Sequence, residues 1–281
     1  MNSAVDMHMH STASDGSDRV PELVRKIQKL GITTFALTDH DTIRGAQEME
    51  KLVPDGIRFI RGIEFSCKTE VAKCHILGYN YDPEQAGFPD FVAEAYAVRI
   101  HKTHNRLSYL EKEYGFVFTD GEKEEQLKNP GKLQLKKLLE KKLRQLYPEA
   151  GPADIFGTYF KNLPSGRVEA TRAIQAIKNA GGIAVWAHPL GGVGEKRLTE
   201  AQVAAQLQTL KKAGIAGLEC YYSEYTVEEI AMLRQAAAEH GLLVSGGSDY
   251  HGTNKAHLHL GMLNREDSPV DASQLTVLDV L

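Results

Sequence analysis

Six short runs place histidine, aspartate or glutamate directly after apolar residues: His8-Met9-His10, Thr38-Asp39-His40-Asp41, Gly62-Ile63-Glu64, Cys74-His75, Ala187-His188-Pro189 and Ser248-Asp249-Tyr250-His251. Asp15 follows in the turn Ser14-Asp15-Gly16. Each run alone carries little weight. Histidines two apart share a strand face and can hold one ion, but they also occur in plain loops, and Asp15 reads as well as a turn carboxylate. Together they say more, because six of the eleven histidines recur in one setting while His101, His104, His240, His257 and His259 scatter and read as structural. An acid such as Glu64 after an apolar run is costly in a core unless paired or bound to metal. Nine N and O donors (His8, His10, Asp15, His40, Glu64, His75, His188, Asp249 and His251) exceed the need of one ion and suit two or three hard or borderline cations. Cys67, Cys74 and Cys220 have no ligand spacing, which argues against a thiolate zinc site.

The elements that carry these donors alternate. Val5, Met7 and Met9 interleave with Asp6, His8 and His10 at strand period. A helix is expected over 21–30, stopped by Gly31, then a strand over 34–38, a helix over 43–53, and strands over 58–63 and 74–77. The rhythm returns after Gly166, with helices over 168–180, 199–213 and 226–240 and strands over 183–187, 217–221 and 242–245. Strands alternating with helices predict a parallel sheet or a βα barrel, with the polar clusters at the rim formed by the C-terminal ends of the strands.

Residues 92–164 break the pattern and read as a helical insertion, a cap, in a barrel made of 1–91 and 165–281. The leucines at helical spacing over 133–146 run among Lys136, Lys137, Lys141, Lys142 and Arg144. Those cations are expected to be a solvated helix face; the alternative is a cap that brings positive charge to a phosphorylated substrate.

The chain has 281 residues, 42% hydrophobic and 25% charged, with a net charge of −4, which describes an ordinary globular protein without wholesale attraction to nucleic acid. No apolar run is long enough to span a membrane, no signal pattern opens the chain, and three cysteines suit a reducing compartment, so a cytoplasmic location is expected. Nothing points to a membrane or to an obligate protein partner.

The six runs, in this order, resemble those of the PHP (polymerase and histidinol phosphatase) family of metal-dependent phosphoesterases, over roughly residues 4–82 and 168–252. The resemblance implies a distorted seven-stranded (β/α)7 TIM-like barrel, α/β in class, binding two or three divalent ions: Mn, Zn or Fe, with Mg also admissible. It implies that His8, His10, Glu64 and Asp249 hold one ion, that Glu64 bridges to a second completed by His75 and His188, and that Asp15, His40 and His251 hold the third. Glu64, Asp249 and His188 are singled out as the catalytic members. The insertion is similar to that of nucleoside 3′,5′-bisphosphate phosphatases and related enzymes that trim short RNA. Their Gly-Arg-Pro-His-like motif has its nearest counterpart in Gly131-Lys132-Leu133-Gln134, which keeps a charge but not the bidentate fork.

The expected activity is hydrolysis of a phosphomonoester of a nucleotide by a metal-bound hydroxide. Asp6, Asp39 and Asp41 would either orient ligands from behind or simply cap strand ends. Arg99, Arg106 and Lys132 would bind a second phosphate or a sugar; as an alternative, the arginines are surface residues of a helix. Glu219 reads as pocket lining without a ligand role. A 5′–3′ exonuclease on short RNA, a histidinol-phosphate or sugar-phosphate phosphatase, and a regulatory metal-binding module are the competing readings. Lys136 to Arg144 with Tyr221, Tyr222 and Tyr225 would serve the RNA reading, whereas the full donor set speaks against a non-catalytic module.

Overall fold

The computed structural model describes residues 3–149 and 154–281. The chain divides into two compact units, Met1–Ala95 with Val168–Leu281, and Tyr96–Arg167. In the first unit the order is β1 (Val5–Asp6), α1 (Val20–Leu30), β2 (Thr34–Leu37), α2 (Arg44–Met49), β3 (Arg58–Lys68), β4 (Lys73–Tyr79) and the start of α3 (Phe88–Tyr114). The second unit holds the rest of α3, α4 (Asp120–Lys128), α5 (Lys132–Leu146) and α6 (Ile155–Thr158). The first unit then resumes with β5 (Val168–Glu169), α7 (Ala170–Asn179), β6 (Ile183–Ala187), α8 (Glu200–Ala213), β7 (Gly217–Tyr222), α9 (Val227–Glu239) and β8 (Leu243–Gly247).

Seven strands pair in the order β1-β2-β3-β4-β6-β7-β8, and the short β5 pairs with β3. The residues after β1 close the ring onto β8: Met7 N–H donates to Gly246 O (3.1 Å), Asp249 N–H to His8 O (2.8 Å) and His10 N–H to Tyr250 O (2.9 Å). Helix α1 shows why the flanking layer forms where it does. Pro21 sits in its first turn, Val20, Leu23 and Ile27 share a buried face, and Gly31 ends it at φ 72°. Its face packs with Met9, Phe35, Leu37, Met49 and Tyr250.

The structure departs from an all-parallel reading at β4, which runs antiparallel to both β3 and β6. Only residues 69–72 join β3 to β4, too few for a crossover, so the strands form a hairpin. The departure moves two donors. Glu64 lies inside β3 rather than at its end, because β3 leaves β2 after Leu37↔Arg61 and continues against β4. His75 lies near the beginning of β4, which antiparallel direction brings to the rim where the parallel strands end.

The second unit has its own small core of Leu107, Leu110, Phe116, Phe118, Leu135, Leu138, Leu139, Ile155 and Phe160. Helix α4 is opened by a capping box between Thr119 and Glu122. Of the α5 lysines, Lys136 is partly exposed and pairs with Glu140 (3.2 Å), whereas Lys142 is mostly covered, pairing with Glu122 (2.8 Å) over the Phe118 ring of the core.

Candidate metal centre

The nine donors read from the sequence all stand at one end of the barrel, and their ligand atoms interlock. Glu64 is the hub. Its Oε2 lies 3.1 Å from His8 Nε2, from His10 Nε2 and from His40 Nδ1. Its Oε1 lies 2.8 Å from His75 Nδ1 and 3.2 Å from His188 Nε2, and those two nitrogens are 3.2 Å apart. Asp249 Oδ1 is 3.6 Å from His8 Nε2 and 3.4 Å from His10 Nε2. Asp15 Oδ1 is 3.3 Å from His251 Nε2, and the His10 and His251 rings stack at 4.1 Å. Groups with ligand-forming atoms within 4.8 Å of one another are His8, His10, Glu64 and Asp249; His10, Asp15, His40 and His251; His40, Glu64 and His75; and His75, His188 and Glu195.

A test of fit lies in Glu64 Oε2. It is buried and makes no hydrogen bond, although three imidazole nitrogens stand at 3.1 Å. A buried carboxylate oxygen left so would cost several kcal/mol by itself, and lone pairs converging on lone pairs are stable only around positive charge. The donor chemistry, imidazole and carboxylate without thiolate, suits divalent cations.

Local structure holds these groups in place. Residue 247 must be glycine, since a side chain there would overlap the Cβ of His8. Three residues at the rim adopt positive φ without being glycine, Asp41 (55°), His188 (30°) and Asp249 (53°), a strain that surrounding bonds must offset. Asp6 accepts from His8 N–H (3.2 Å), Ser248 N–H (2.9 Å), Ser248 Oγ (2.6 Å) and Gly261 N–H (2.9 Å), so it staples β1 to the β8 loop rather than orienting an imidazole. Asp39 accepts from Ser11 N–H, Ser11 Oγ and Ser14 Oγ, and Ser14 Oγ reaches His10 Nδ1 at 3.5 Å. Asp41 accepts from Ser66 N–H (2.8 Å) and ties the β2 loop to β3.

Charge is shared across the cluster. Burial alone would raise the Glu64 carboxyl, but His40, His75 and His8 hold it well below the usual carboxylate range. Asp249 is likewise kept low against burial, chiefly by Lys255 and then His251. Burial would depress His10, but the carboxylates of Asp249 and Glu64 beside it carry it up to about 9. His251 moves down, through burial and then the nearby cations Lys255 and His10.

Four residues at the rim escaped the sequence reading as members of the cluster. Glu219 contacts His8 and His188, and Tyr222 donates to Asp249 Oδ2 (2.8 Å). Lys255 donates to the same oxygen at 2.6 Å, and Glu195 lies 3.4 Å from His188 Nδ1. For Glu219 the signal was an acid in the otherwise apolar, wholly buried β7; Lys255 and Glu195 sit in loops that offered none. In the insertion unit, Arg99 and Arg106 are buried, which overturns their reading as surface arginines. Each spends Nε on a proline carbonyl, Arg99 on Pro130 (2.7 Å) and Arg106 on Pro164 (3.0 Å). Burial and the neighbouring Arg99 and Arg167 depress the Arg106 guanidinium. Lys132, the first residue of α5, is exposed.

A barrel with buried histidine–carboxylate groups able to hold several cations defines a metal-dependent hydrolase. The chain belongs to the PHP domain family, which matches residues 6–184. It is similar to a phosphoribosyl 1,2-cyclic phosphate 1,2-diphosphodiesterase of Eggerthella lenta, 29% identical over 91% of this chain and 97% of that one. A 5′-3′ exoribonuclease of Haemophilus influenzae is 30% identical over 89% and 91%. A 3′,5′-nucleoside bisphosphate phosphatase of Chromobacterium violaceum is 25% identical over 94% and 92%. Among solved structures, one from Bifidobacterium adolescentis, assigned as a metal-dependent phosphoesterase, superposes with a TM-score of 0.76 at 27% identity over 94% and 93%. The protein is a metal-dependent phosphoesterase of this family. Among the described residues, no helix is long and apolar enough to cross a membrane.

Proposed function

We propose that the protein hydrolyses a phosphate ester of a nucleotide, with a nucleoside 3′,5′-bisphosphate as its reference substrate, and that the insertion selects that substrate. The observation that carries the chemistry is Glu64, whose two buried oxygens face five imidazoles at 2.8–3.2 Å. His8, His10, Glu64 and Asp249 would hold one ion, Glu64, His75 and His188 a second, and Asp15, His40 and His251, with His10 at hand, a third. Two or three divalent ions (Mn, Zn or Fe, with Mg admissible) would lower the pKa of water and neutralise charge on the phosphoryl group and the leaving oxygen.

The chain's own groups set the stage for that chemistry. Glu64 and Asp249 supply the negative charge that balances the cations, and Tyr222 and Lys255 fix the outer oxygen of Asp249. Lys255 also brings positive charge to the edge of the cluster, where it favours an anionic substrate. In the insertion, burial and then the neighbouring cations Arg99 and Arg167 disfavour the charge on the Arg106 guanidinium, and a bound anion would favour it. The names of the three relatives share a phosphate carried on a ribosyl group, a nucleotide or RNA. The exonuclease reading is kept as the second, on the 30% identity with the Haemophilus enzyme.

A screen of metal-loaded protein against a nucleoside 3′,5′-bisphosphate, a ribosyl cyclic phosphate, histidinol phosphate and short 5′-phosphorylated RNA tests the proposal. The bisphosphate should give the highest kcat/KM. A preference of about tenfold or more for RNA would establish the second reading instead, and no turnover of any phosphoester would refute both.

A further inference from the structure

Strand β7 lends no ligand to the cluster, yet three side chains on it or just after it grip the loop that carries His188. Glu219 takes the His188 N–H (2.7 Å), Tyr225 the Leu190 N–H (2.8 Å) and Tyr222 the Val193 N–H (3.1 Å). Glu219 differs from the tyrosines because its other oxygen accepts from His8 Nδ1 at 2.8 Å. It is fully buried, and the β7–β8 register slips between Glu219 and Tyr221, an irregularity of the kind that re-aims a side chain.

We infer that Glu219 is a positioning residue that prepares two histidines for two different ions at once. The inference rests on the metal reading above. His8 Nε2 faces Glu64, His10 and Asp249, so a ligating lone pair there requires the proton on Nδ1, and an acceptor at Nδ1 enforces that tautomer. His188 has φ 30°, a conformation that an L residue holds only when its surroundings dictate it. The bond from its N–H to Glu219 supplies one such constraint while His188 Nε2 stands 3.2 Å from Glu64. One carboxylate, with an oxygen for each donor, thus sets the ring of a ligand just after β1 and the backbone of a ligand just after β6.

Glu219→Gln tests this because glutamine offers one acceptor oxygen and one amino group to two N–H donors. Either His8 or His188 must then meet a donor. The readouts are metal per chain and metal affinity, measured by Mn²⁺ competition against a chelator on the full chain, alongside kcat and KM for an aryl phosphate. Glu219→Gln should bind Mn²⁺ about 10- to 100-fold more weakly. Excess Mn²⁺ should restore most of its kcat, and KM should change little. Glu219→Asp, which keeps two acceptors, should lose less affinity. Wild-type affinity in Glu219→Gln would overturn the inference, as would metal-free wild-type protein in which nitrogen-15 NMR finds no proton on His8 Nδ1, a readout that does not depend on the glutamine variant folding. A wild-type chain that takes up no metal would instead overturn the metal reading itself.

Discussion

The rim of the barrel and the insertion unit solve opposite problems with charged residues. At the rim, buried acids and imidazoles face one another, and Glu64 alone stands within 3.2 Å of five rings. In the insertion, the buried charges Arg99 and Arg106 are cationic and lean on proline carbonyls around a core of leucine and phenylalanine. The first arrangement suits cations, which the chemistry of a phosphoesterase needs; under the proposed function the second would contribute to choosing what is cleaved.

The sharpest way to break this contrast is at the rim. Glu64→Gln and Asp249→Asn should each lower kcat by about 10²–10³-fold or more, as losses of preorganised charge do. Both should keep the far-ultraviolet circular dichroism of the wild type, because neither change alters side-chain volume. Hydrolysis near the wild-type rate by either variant, with its metal content measured, would remove these residues from the chemistry.

Next in size is the insertion. Arg99→Ala, Arg106→Ala or Lys132→Ala should reduce kcat/KM for a nucleoside bisphosphate by about tenfold to a hundredfold, mostly through KM, as expected for one charged hydrogen bond. The effect on an aryl phosphate should be slight. Equal losses on both substrates would show that these cations support the fold instead, and for the buried pair Arg99 and Arg106 a fall in Tm would accompany them.

A smaller effect concerns protons. His10 is raised in the metal-free protein from its ordinary 6.5 to about 9, so its proton stabilises the metal-free fold fully below 6.5 and ceases to do so as pH rises through about 9. Ligation expels that proton, so Mn²⁺ binding at pH 7.5 should release protons and tighten as pH climbs across the same window. Calorimetry in buffers of different ionisation heat measures the release; proton uptake would contradict the assignment of His10 as a ligand.

The smallest expected signal is at the thiols. Cys67, Cys74 and Cys220 are buried, and burial pushes the Cys220 thiol up, so the native protein should react slowly with a thiol reagent at pH 8 and rapidly once unfolded. Fast labelling of three thiols in the native state would contradict the packing of β3, β4 and β7.

The donors were legible because histidine and acid after an apolar run are expensive in a core and therefore conspicuous. The alternation of strands and helices was legible through period and through glycine stops such as Gly31 and Gly214. The antiparallel β4 was not, since the turn Thr69-Glu70-Val71-Ala72 has no glycine, proline or asparagine to mark a hairpin. The roles of Glu219 and Lys255 were hidden for another reason. Glu219 acts on His8, 211 positions away, and on His188, 31 positions away, and no local pattern encodes such a meeting. The burial of Arg99 and Arg106 was equally silent, because an arginine on an amphipathic helix reads as solvated until its carbonyl partners are known.

The central claim, that the rim is one centre for several ions, is tested most directly by anomalous diffraction from crystals of the full chain grown with Mn²⁺. The account predicts two or three peaks. One should lie about 2.0–2.3 Å from ligand atoms of His8, His10, Glu64 and Asp249, and a second at that range from Glu64, His75 and His188. A third would be held by Asp15, His40 and His251. A single peak away from Glu64, or no peak at the rim in protein that turns over substrate, would contradict it.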